Sequence, residues 1–353
     1  MPKPIRIHFI GFGRVAKALV NLAAARPIVN QHGREIRLEA VGVATASHGS
    51  WALPRGLAVP ELSRRTKEAS HLEGPLPGER VRGAYELLRS VPADLMVETS
   101  PLNPFGGEPA VSHVRQALQQ GMHVVTANKG PAACAYRELR ALAEQRKRAF
   151  LFEATVLGGT PVFRLVRAAL PGARLLGVRG LLNSTSSYLL ARMEAGLTFE
   201  QALQEAQARG IAESDPEQDI EGLDAATKLA VLVNVLLEGD LRPAEVARRG
   251  ISHITPQKVR DARAKGEQIR LVAWARRQDG GLISGVGPER LAPSDPLVCA
   301  GERPNVLILE TDVLGSIGVF QPEPGLDRTA YGLYADLVEV AWRVGRSRAG
   351  RAS

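Results

Sequence analysis

The stretch IRIHFIGFGRVAKALVNLAAA, residues 5–25, decides the fold of the amino-terminal part of the chain. It begins with a short apolar run typical of a β-strand and ends with an alanine- and leucine-rich run typical of a helix. Between them Gly11, Gly13 and Ala16 give the spacing G-x-G-x-x-A. Because the glycines lie between a strand and a helix, the spacing predicts a dinucleotide-binding turn rather than a plain tight turn.

Strand and helix patterns alternate outward from this unit. Further strands are predicted within residues 36–46, 93–101 and 122–131, and helices within 60–69, 108–121 and 135–147. Residues 47–83 are otherwise rich in proline, glycine and charge, and their periodicity is weak. The alternation predicts an α/β fold with a doubly wound, Rossmann-type and mostly parallel sheet in a dinucleotide-binding domain, residues 1–149.

The pattern changes near residue 150, which predicts a second domain. Residues 149–170 and 174–193 each place a strand before a loop rich in Gly, Ser or Thr and then a helix, and late strands are predicted within 270–277, 281–287 and 305–320. We expect an α+β substrate-binding and dimerisation domain at residues 150–322. A C-terminal helix at 323–345 is expected to return to the nucleotide domain.

Composition excludes several classes of protein. An apolar fraction of 44%, with no apolar run long enough to cross a bilayer, predicts no membrane association, and the absence of a visible secretory signal favours the cytoplasm. The net charge of +8 comes from scattered basic residues, so we expect anionic small molecules rather than nucleic acid as partners. Cys134 and Cys299 form neither a disulfide framework nor a metal-binding pattern.

The glycine turn is expected to carry the cofactor on six residues: Gly11, Phe12, Gly13, Arg14, Val15 and Ala16. NAD-selective sites usually place an acid at the end of the second strand, on the ribose 2′-hydroxyl. Residues 43–48, VATASH, contain no acid. This favours NADP, or use of both cofactors, with small polar groups and an arginine such as Arg55 near the 2′-phosphate.

Two polar turns follow other strands of the same sheet, ETSP at 98–101 and TANKG at 126–130. Ligands of doubly wound folds lie beyond the carboxyl ends of the strands, so both turns are expected at the cofactor. Lys129 is a candidate acid or electrostatic clamp there. A surface lysine in a loop remains an equal alternative.

An acidic segment, GIAESDPEQDIEGLDAATKLAVL at residues 210–232, places six carboxylates in twelve positions before an apolar helix pattern. A solvated loop before a helix would also be acidic. However, Asp224 and Lys228 stand four residues apart on the predicted helix, 222–237, and apolar residues surround Lys228. Such a lysine is a candidate proton donor, and the preceding acids are candidates to hold a cationic group.

This segment resembles a conserved block of the homoserine dehydrogenase family. VVTANKGP (124–131), FEATVLGGTPV (152–162), GLLNSTSSYLL (180–190), GISHIT (250–255) and the tail 305–340 resemble further blocks of that family in the same order. The resemblance extends from about residue 5 to 342, with residues 47–83 poorly matched. It implies NAD(P)H-dependent, reversible reduction of L-aspartate 4-semialdehyde to L-homoserine.

The resemblance also implies residue roles. Lys228 would be the proton donor, with Asp224 beside it and Lys129 between nicotinamide and substrate. Substrate would be held by Glu213, Asp219, Asp224 and Thr185. The cofactor would be lined, besides the glycine turn, by Thr99, Ser100, Lys129, Gly210 and Gly325. A monovalent cation such as sodium would be held by Glu153, Val156, Gly158 and Thr160.

Some positions depart from the family pattern. Leu157 stands where the family usually has glycine, STSSY at 184–188 replaces a GTTNY-like block, and the segment around Gly325 lacks the family's glycine-rich turn. No ACT or kinase domain is expected, and a helical face of the second domain is expected to form a homodimer. Two alternatives stay open: a dehydrogenase of another amino-acid semialdehyde, and a catalytically silent dinucleotide sensor.

Overall fold

The computed structural model describes residues 3–30, 33–67, 76–298 and 304–349. Its strands are β1 (Ile5–Ile10), β2 (Ile28–Val29), β3 (Glu35–Ile36), β4 (Leu38–Ala44), β5 (Ser50–Ala58), β6 (Glu79–Val81), β7 (Leu95–Glu98), β8 (His123–Thr126), β9 (Phe150–Leu151), β10 (Leu175–Leu181), β11 (Ala247–Arg248), β12 (Gln268–Gln278), β13 (Gly281–Leu291), β14 (Asn305–Thr311) and β15 (Gly315–Gln321). Its helices are α1 (Arg14–Ala25), α2 (Val59–Lys67), α3 (Ala84–Ser90), α4 (Ala110–Gln119), α5 (Lys129–Cys134), α6 (Tyr136–Gln145), α7 (Val162–Ala169), α8 (Ser184–Glu194), α9 (Phe199–Ala208), α10 (Glu217–Ile220), α11 (Leu223–Leu236), α12 (Pro256–Arg263) and α13 (Leu326–Ala349).

The chain divides into two compact units. The first unit comprises Met1–Pro161 and Gly325–Ser353, and the second comprises Val162–Pro324. Cys299 and the last two residues of the helix predicted at 60–69 lie outside the described residues.

The first unit is built on a seven-stranded sheet with the order β6-β5-β4-β1-β7-β8-β9. The strands from β4 to β9 in this order pair in parallel. This arrangement, with β1 at the centre and α1 leaving its carboxyl end, confirms the prediction of a doubly wound α/β sheet.

The edge strands β5 and β6 pair antiparallel, and the sequence pattern did not predict them. β5 contains Pro54, Arg55 and Gly56, and its register with β4 shifts between Ala40 and Gly42. A bulge interrupts the alternation of side chains on which strand prediction depends, so this strand gives little sequence signal.

Helix α13 packs against α1 in the first unit. Both helices contribute one apolar stripe to the same core: Ala16, Leu19, Val20 and Ala23 from α1, and Leu333, Leu337, Val340, Ala341 and Val344 from α13. The spacing of three and four residues puts each set on one helix face.

The first unit extends past residue 149, where the sequence pattern had ended the nucleotide domain. Strand β9 pairs in parallel with β8, so residues 150–151 belong to the first sheet, and the unit continues to Pro161. The change in composition near residue 150 marks a loop of the first unit rather than a domain boundary. At the other end the second unit closes at Pro324, and α13 starts at Leu326 and continues to Ala349 rather than ending at 345.

The second unit is a six-stranded sheet with the order β11-β13-β12-β10-β14-β15. Neighbouring strands are antiparallel except β11 and β13, which are parallel. Helices α8 and α11 pack against β12. Within the described ranges, no helix of either unit is both long and apolar enough to cross a membrane.

The glycine turn after β1 predicts a stability difference between two substitutions. Gly11 has φ +78°, and a Cβ there would lie 2.5 Å from the backbone nitrogen of Ser100. Gly11→Ala should therefore lower the free energy of unfolding by at least about 2 kcal/mol, measured by urea denaturation. At Gly13, φ is −88° and a Cβ would meet no atom within 4 Å, so Gly13→Ala should stay within about 0.5 kcal/mol of wild type. Equal losses in both variants would contradict this assignment of strain.

Candidate functional site

The glycine turn of the first unit leads directly into the start of α1. Gly13 is the residue before the helix, and no side chain caps the first turn of α1. The backbone N–H groups at this helix start therefore remain as donors, and helix N-termini favour anions. Ala16 is fully buried, and Phe12 packs edge-on against Phe9 beneath the turn.

A cavity of about 300 Å³ lies over this turn. Its lining is drawn from the glycine turn, from the loop after β4 and from the loop after β7: Gly11, Phe12, Gly13, Arg14, Thr45, Ala46, Ser47, His48, Thr99 and Pro101. Among the described lining residues there is no carboxylate, and Arg14 and His48 are present. Arg55 lies exposed on β5 and is not in this lining, so Arg14 replaces it as the arginine nearest the site. Val15 packs on the core beneath the turn.

The loops after β7 and β8 are joined to the turn and to each other. The hydroxyl of Thr99 donates to the carbonyl of Gly11 at 2.9 Å. The amide nitrogen of Asn128 donates to the carbonyl of Ser100 at 3.0 Å, and its oxygen accepts from Gly130 N–H at 2.8 Å. Lys129 is the first residue of α5 and is half-buried. The structure thus brings both predicted loops to one edge of the first sheet.

Glu98, at the end of β7, is a buried acid that the sequence pattern did not identify as functional. Its carboxylate accepts from Ser100 N–H at 3.1 Å, from the Ser100 hydroxyl, and from the Thr126 hydroxyl at 3.2 Å. Burial outweighs these bonds and raises the pKa of Glu98 to about 7. A glutamate at the end of an apolar strand indicates a buried acid with hydrogen-bond partners, because acids are seldom fully buried without them.

The second unit gathers a separate charged cluster around α11. The Lys228 ammonium lies 2.8 Å from Asp224 Oδ2 and donates to the carbonyl of Leu182 at 2.6 Å. The side chains of Lys228 and Asp224 are only 15% and 16% exposed. Gly222 precedes α11 in the left-handed conformation, with φ +76°. Asp224 and Lys228 are four residues apart on this helix and therefore share one face.

Asn183 connects this ion pair to a second carboxylate. Its amide nitrogen donates to Asp219 Oδ1 at 2.5 Å and to Asp224 Oδ2 at 2.9 Å. Its oxygen accepts from Ser186 N–H and so caps the start of α8. Burial, and then the neighbouring charge of Asp224, raise the pKa of Asp219, while bonds from Asn183 and Thr185 and the charge of Lys228 oppose this shift. The capping position of Asn183 in the sequence was the available signal for a residue that sequence reasoning missed.

The remaining predicted substrate and cofactor residues lie on several different elements. Thr185 is buried on α8 and donates to the carbonyl of Ile211 at 3.3 Å. Glu213 lies in an exposed loop after α9, where its backbone carbonyl accepts from Gln207. Gly210 ends α9 with φ +65°, and Gly325 immediately precedes α13 in the first unit.

The predicted cation loop follows β9. Glu153 and Val156 are buried, and Gly158 takes φ +57°. Asp336 of α13, also buried, accepts from Glu153 N–H at 2.9 Å. A Cβ at Gly159 would lie 2.1 Å from the carbonyl of Arg328, so this loop lies directly against α13. Carboxylates and carbonyls are oxygen donors suited to a hard cation.

A doubly wound sheet with an open glycine turn, and a second unit with a lysine–carboxylate cluster, define a dinucleotide-dependent oxidoreductase. The comparisons with known proteins identify it further. The family model described as homoserine dehydrogenase matches residues 161–338, and that of the homoserine dehydrogenase NAD-binding domain matches residues 11–153. The chain belongs to the homoserine dehydrogenase family of NAD(P)-dependent oxidoreductases.

Individual relatives agree with this family. The chain is 36% identical to the NAD(+)-dependent homoserine dehydrogenase of Pseudomonas canavaninivorans, over 95% of this chain and 96% of that protein. It is 34% identical to the homoserine dehydrogenase of Methanocaldococcus jannaschii, over 95% and 98%. Among solved structures, a hyperthermophilic archaeal homoserine dehydrogenase in complex with NADPH matches with a TM-score of 0.80 and 27% identity, over 97% and 98% of the two chains.

The buried carboxyl of Glu98 predicts a pH-dependent stability difference. Its folded pKa, about 7, lies above the ordinary 4.5, so between these values the folded chain keeps a proton that the unfolded chain has lost. This group's contribution to stability therefore falls as the pH rises from 4.5 to about 7 and is constant above that. Glu98→Gln removes the effect, so its free energy of unfolding should rise relative to wild type between pH 5 and pH 8, by at most about 3 kcal/mol.

Urea denaturation at the two pH values measures this difference. Glu138→Gln on α6 is the matched control, because bonding to Arg115 lowers the pKa of Glu138, and this variant should show no such gain at pH 8. Parallel pH profiles for wild type and Glu98→Gln would contradict a buried, proton-retaining carboxyl.

Proposed function

We propose that the chain reduces L-aspartate 4-semialdehyde to L-homoserine, reversibly, with Lys228 as the proton donor. The observation that carries this proposal is the 2.8 Å contact between Lys228 and Asp224 in a largely buried cluster. The hydride for the carbonyl carbon would come from a reduced nicotinamide dinucleotide bound at the glycine turn. Lys228 Nζ gives a proton to the carbonyl oxygen, which becomes the hydroxyl of the product.

The neighbours of Lys228 suit this role. Asp224 pairs with the ammonium at 2.8 Å, and the carbonyl of Leu182 accepts from it and fixes the direction of the Nζ group. Negative charge that develops on the carbonyl oxygen is stabilised by the same ammonium. Asp219, with Glu213 as the resemblance implies, would hold the substrate ammonium, and Thr185 would contact the substrate. Lys129 would lie between nicotinamide and substrate as an electrostatic clamp.

Replacing Lys228 tests the proton donor. Lys228→Met keeps the length of the side chain without its charge, and its kcat for aldehyde reduction should fall about 10²- to 10⁴-fold because the general acid is lost. NADPH binding, measured by fluorescence titration, should remain unchanged. Lys258→Met on the exposed helix α12 is the matched control and should retain wild-type kcat.

Two results would count against this function. A kcat of Lys228→Met within threefold of wild type would exclude Lys228 as the proton donor. A wild type that binds dinucleotide but reduces another amino-acid semialdehyde faster, or none, would favour the two alternatives that the sequence left open.

We propose NADP as the preferred cofactor. Support comes from the described cavity lining, which contains Arg14 and His48 and no acid to bond a ribose 2′-hydroxyl. Thr45 and Ser47 add small polar groups in the loop after β4. The relatives differ in this respect: one is named as NAD(+)-dependent and another was solved with NADPH.

Arg14 is the residue to test. Arg14→Ala should weaken NADPH binding about 10- to 100-fold and NADH binding little, because a charge-assisted bond to the 2′-phosphate is worth about 1.5–3 kcal/mol. Fluorescence titration with both cofactors gives the two dissociation constants. Arg55→Ala, at an exposed position of β5, should leave both dissociation constants unchanged. Equal weakening of NADPH and NADH, or a wild type that binds NADH more tightly, would contradict the preference.

We also propose a monovalent cation such as sodium in the loop after β9. The Glu153 carboxylate and the backbone carbonyls of Val156, Gly158 and Thr160 would hold it. Its contribution would be to stabilise the loop against α13, where Glu153 N–H already donates to the buried carboxylate of Asp336.

Assembly as a homodimer is the remaining proposal, and the structure favours a different face from the helical one expected from the sequence. Large apolar side chains of the second unit are exposed on strands and a turn of its sheet, namely Ile283, Val313, Leu314 and Phe320. The strand register places half-buried Trp274 and Ile308 on the same sheet face as Ile283 and Phe320. Pairing two copies through this sheet face would cover apolar surface that helices α8 and α11 do not reach.

A further inference from the structure

Glu98 lies where the two loops at the cofactor edge of the first sheet meet. It is fully buried at the end of β7. Its carboxylate accepts from the loop after β7 and from the last residue of β8. Ser100 belongs to the loop after β7, and Thr126 ends β8. One carboxylate oxygen takes both donors of Ser100, and the other takes the hydroxyl of Thr126.

Asn128 extends this connection to the start of α5. Its backbone N–H donates to the Thr126 hydroxyl at 2.9 Å, and its side chain bonds the carbonyls of Ser100 and Pro101 at 3.0 and 3.2 Å. The same side chain accepts from Gly130 N–H and caps the helix that Lys129 begins. The two loops are thus one hydrogen-bonded structure centred on Glu98.

The glycine turn lies against the same structure. Thr99 N–H donates to the carbonyl of Ile10 at 2.7 Å, and the Thr99 hydroxyl donates to the carbonyl of Gly11. The backbone of Ser100 approaches Gly11 so closely that no Cβ fits between them. A displacement of Ser100 would therefore change the wall of the cavity over the turn.

We propose that Glu98 is a positioning residue for the dinucleotide: it fixes Thr99 and Ser100 against the glycine turn and, through Thr126 and Asn128, the start of α5 at Lys129. This inference rests on the proposed function only in requiring that a dinucleotide binds at the turn. Glu98 itself lies beneath the loops and is not assigned a contact with the cofactor.

The geometry accommodates a neutral group at this position as well as a carboxylate. The Thr126 hydroxyl lies 3.1 Å from the backbone carbonyl of Glu98, so it can donate there instead and accept from the side chain. A glutamine would bond Ser100 through its oxygen and Thr126 through its amide nitrogen. An alanine would leave both Ser100 donors and the Thr126 hydroxyl without this acceptor.

Calorimetric titration of the full-length chain with NADPH tests the proposal. Glu98→Ala should raise the dissociation constant at least about tenfold, and Glu98→Gln should stay within about threefold of wild type. Ser63→Ala is the matched control: the buried Ser63 hydroxyl bonds Asn21 between α2 and α1, so its loss costs stability without loosening the two loops. Its dissociation constant should equal that of wild type. If Glu98→Ala does not fold, Thr126→Val, which removes one link, should weaken NADPH about threefold.

Three outcomes would overturn the assignment. A folded Glu98→Ala with wild-type affinity would make Glu98 a purely structural residue. Equal weakening by Glu98→Gln and Glu98→Ala would make the charge, rather than the position of the loops, responsible. Unchanged NADPH affinity in Thr126→Val would show that Thr126 does not couple the two loops. Failure of the proposed reaction is separate, because NADPH binding by wild type is measured without turnover.

Discussion

The pairing of Lys228 with Asp224 in the second unit, with Asp219 held beside them by Asn183, is the interaction on which the proposed chemistry rests. Charged groups removed from water require partners, and removal of one partner of a buried pair is strongly destabilising. Here the ammonium meets one carboxylate at 2.8 Å, and the amide of Asn183 donates to both carboxylates. Two acids can therefore stay close to one lysine in a largely buried place. This arrangement suits a substrate that carries both an ammonium and a carbonyl group, since it offers negative charge to the first and a proton to the second.

In the first unit, a buried carboxylate is bonded by neutral donors rather than by a charged side chain in the described contacts. Glu98 is buried, and the N–H and hydroxyl of Ser100 and the hydroxyl of Thr126 donate to its carboxylate. The bonds that satisfy this carboxyl also define the positions of two loops beside the glycine turn. Backbone geometry adds to this, because Gly11 allows an approach of Ser100 that any other residue would prevent. The shape of the cofactor cavity thus follows from local contacts of the first unit alone.

Sequence patterns predicted the parts of this structure that depend on local spacing. The strand, glycine turn and helix at residues 5–25 and the four-residue spacing of Asp224 and Lys228 each occupy a few neighbouring positions, so periodicity and spacing identify them. β5 was missed because a bulge and Pro54 disrupt its alternation. Asn183 and Glu98 were missed for another reason: their partners lie on other elements, 36 and 41 residues away for Asn183 and 28 away, at Thr126, for Glu98. Family resemblance alone made Asp219 and Thr185 candidates, because spacing does not distinguish them from other loop and helix residues.

A crystal structure of the chain with L-homoserine and oxidised dinucleotide bound together would show whether Lys228 is the proton donor. We expect the product hydroxyl to lie about 3 Å from Lys228 Nζ, with the product ammonium directed toward the carboxylates of the acidic segment. Binding of the product with its ammonium at Asp224 and its hydroxyl away from Lys228 would contradict the assignment of Lys228 as the proton donor.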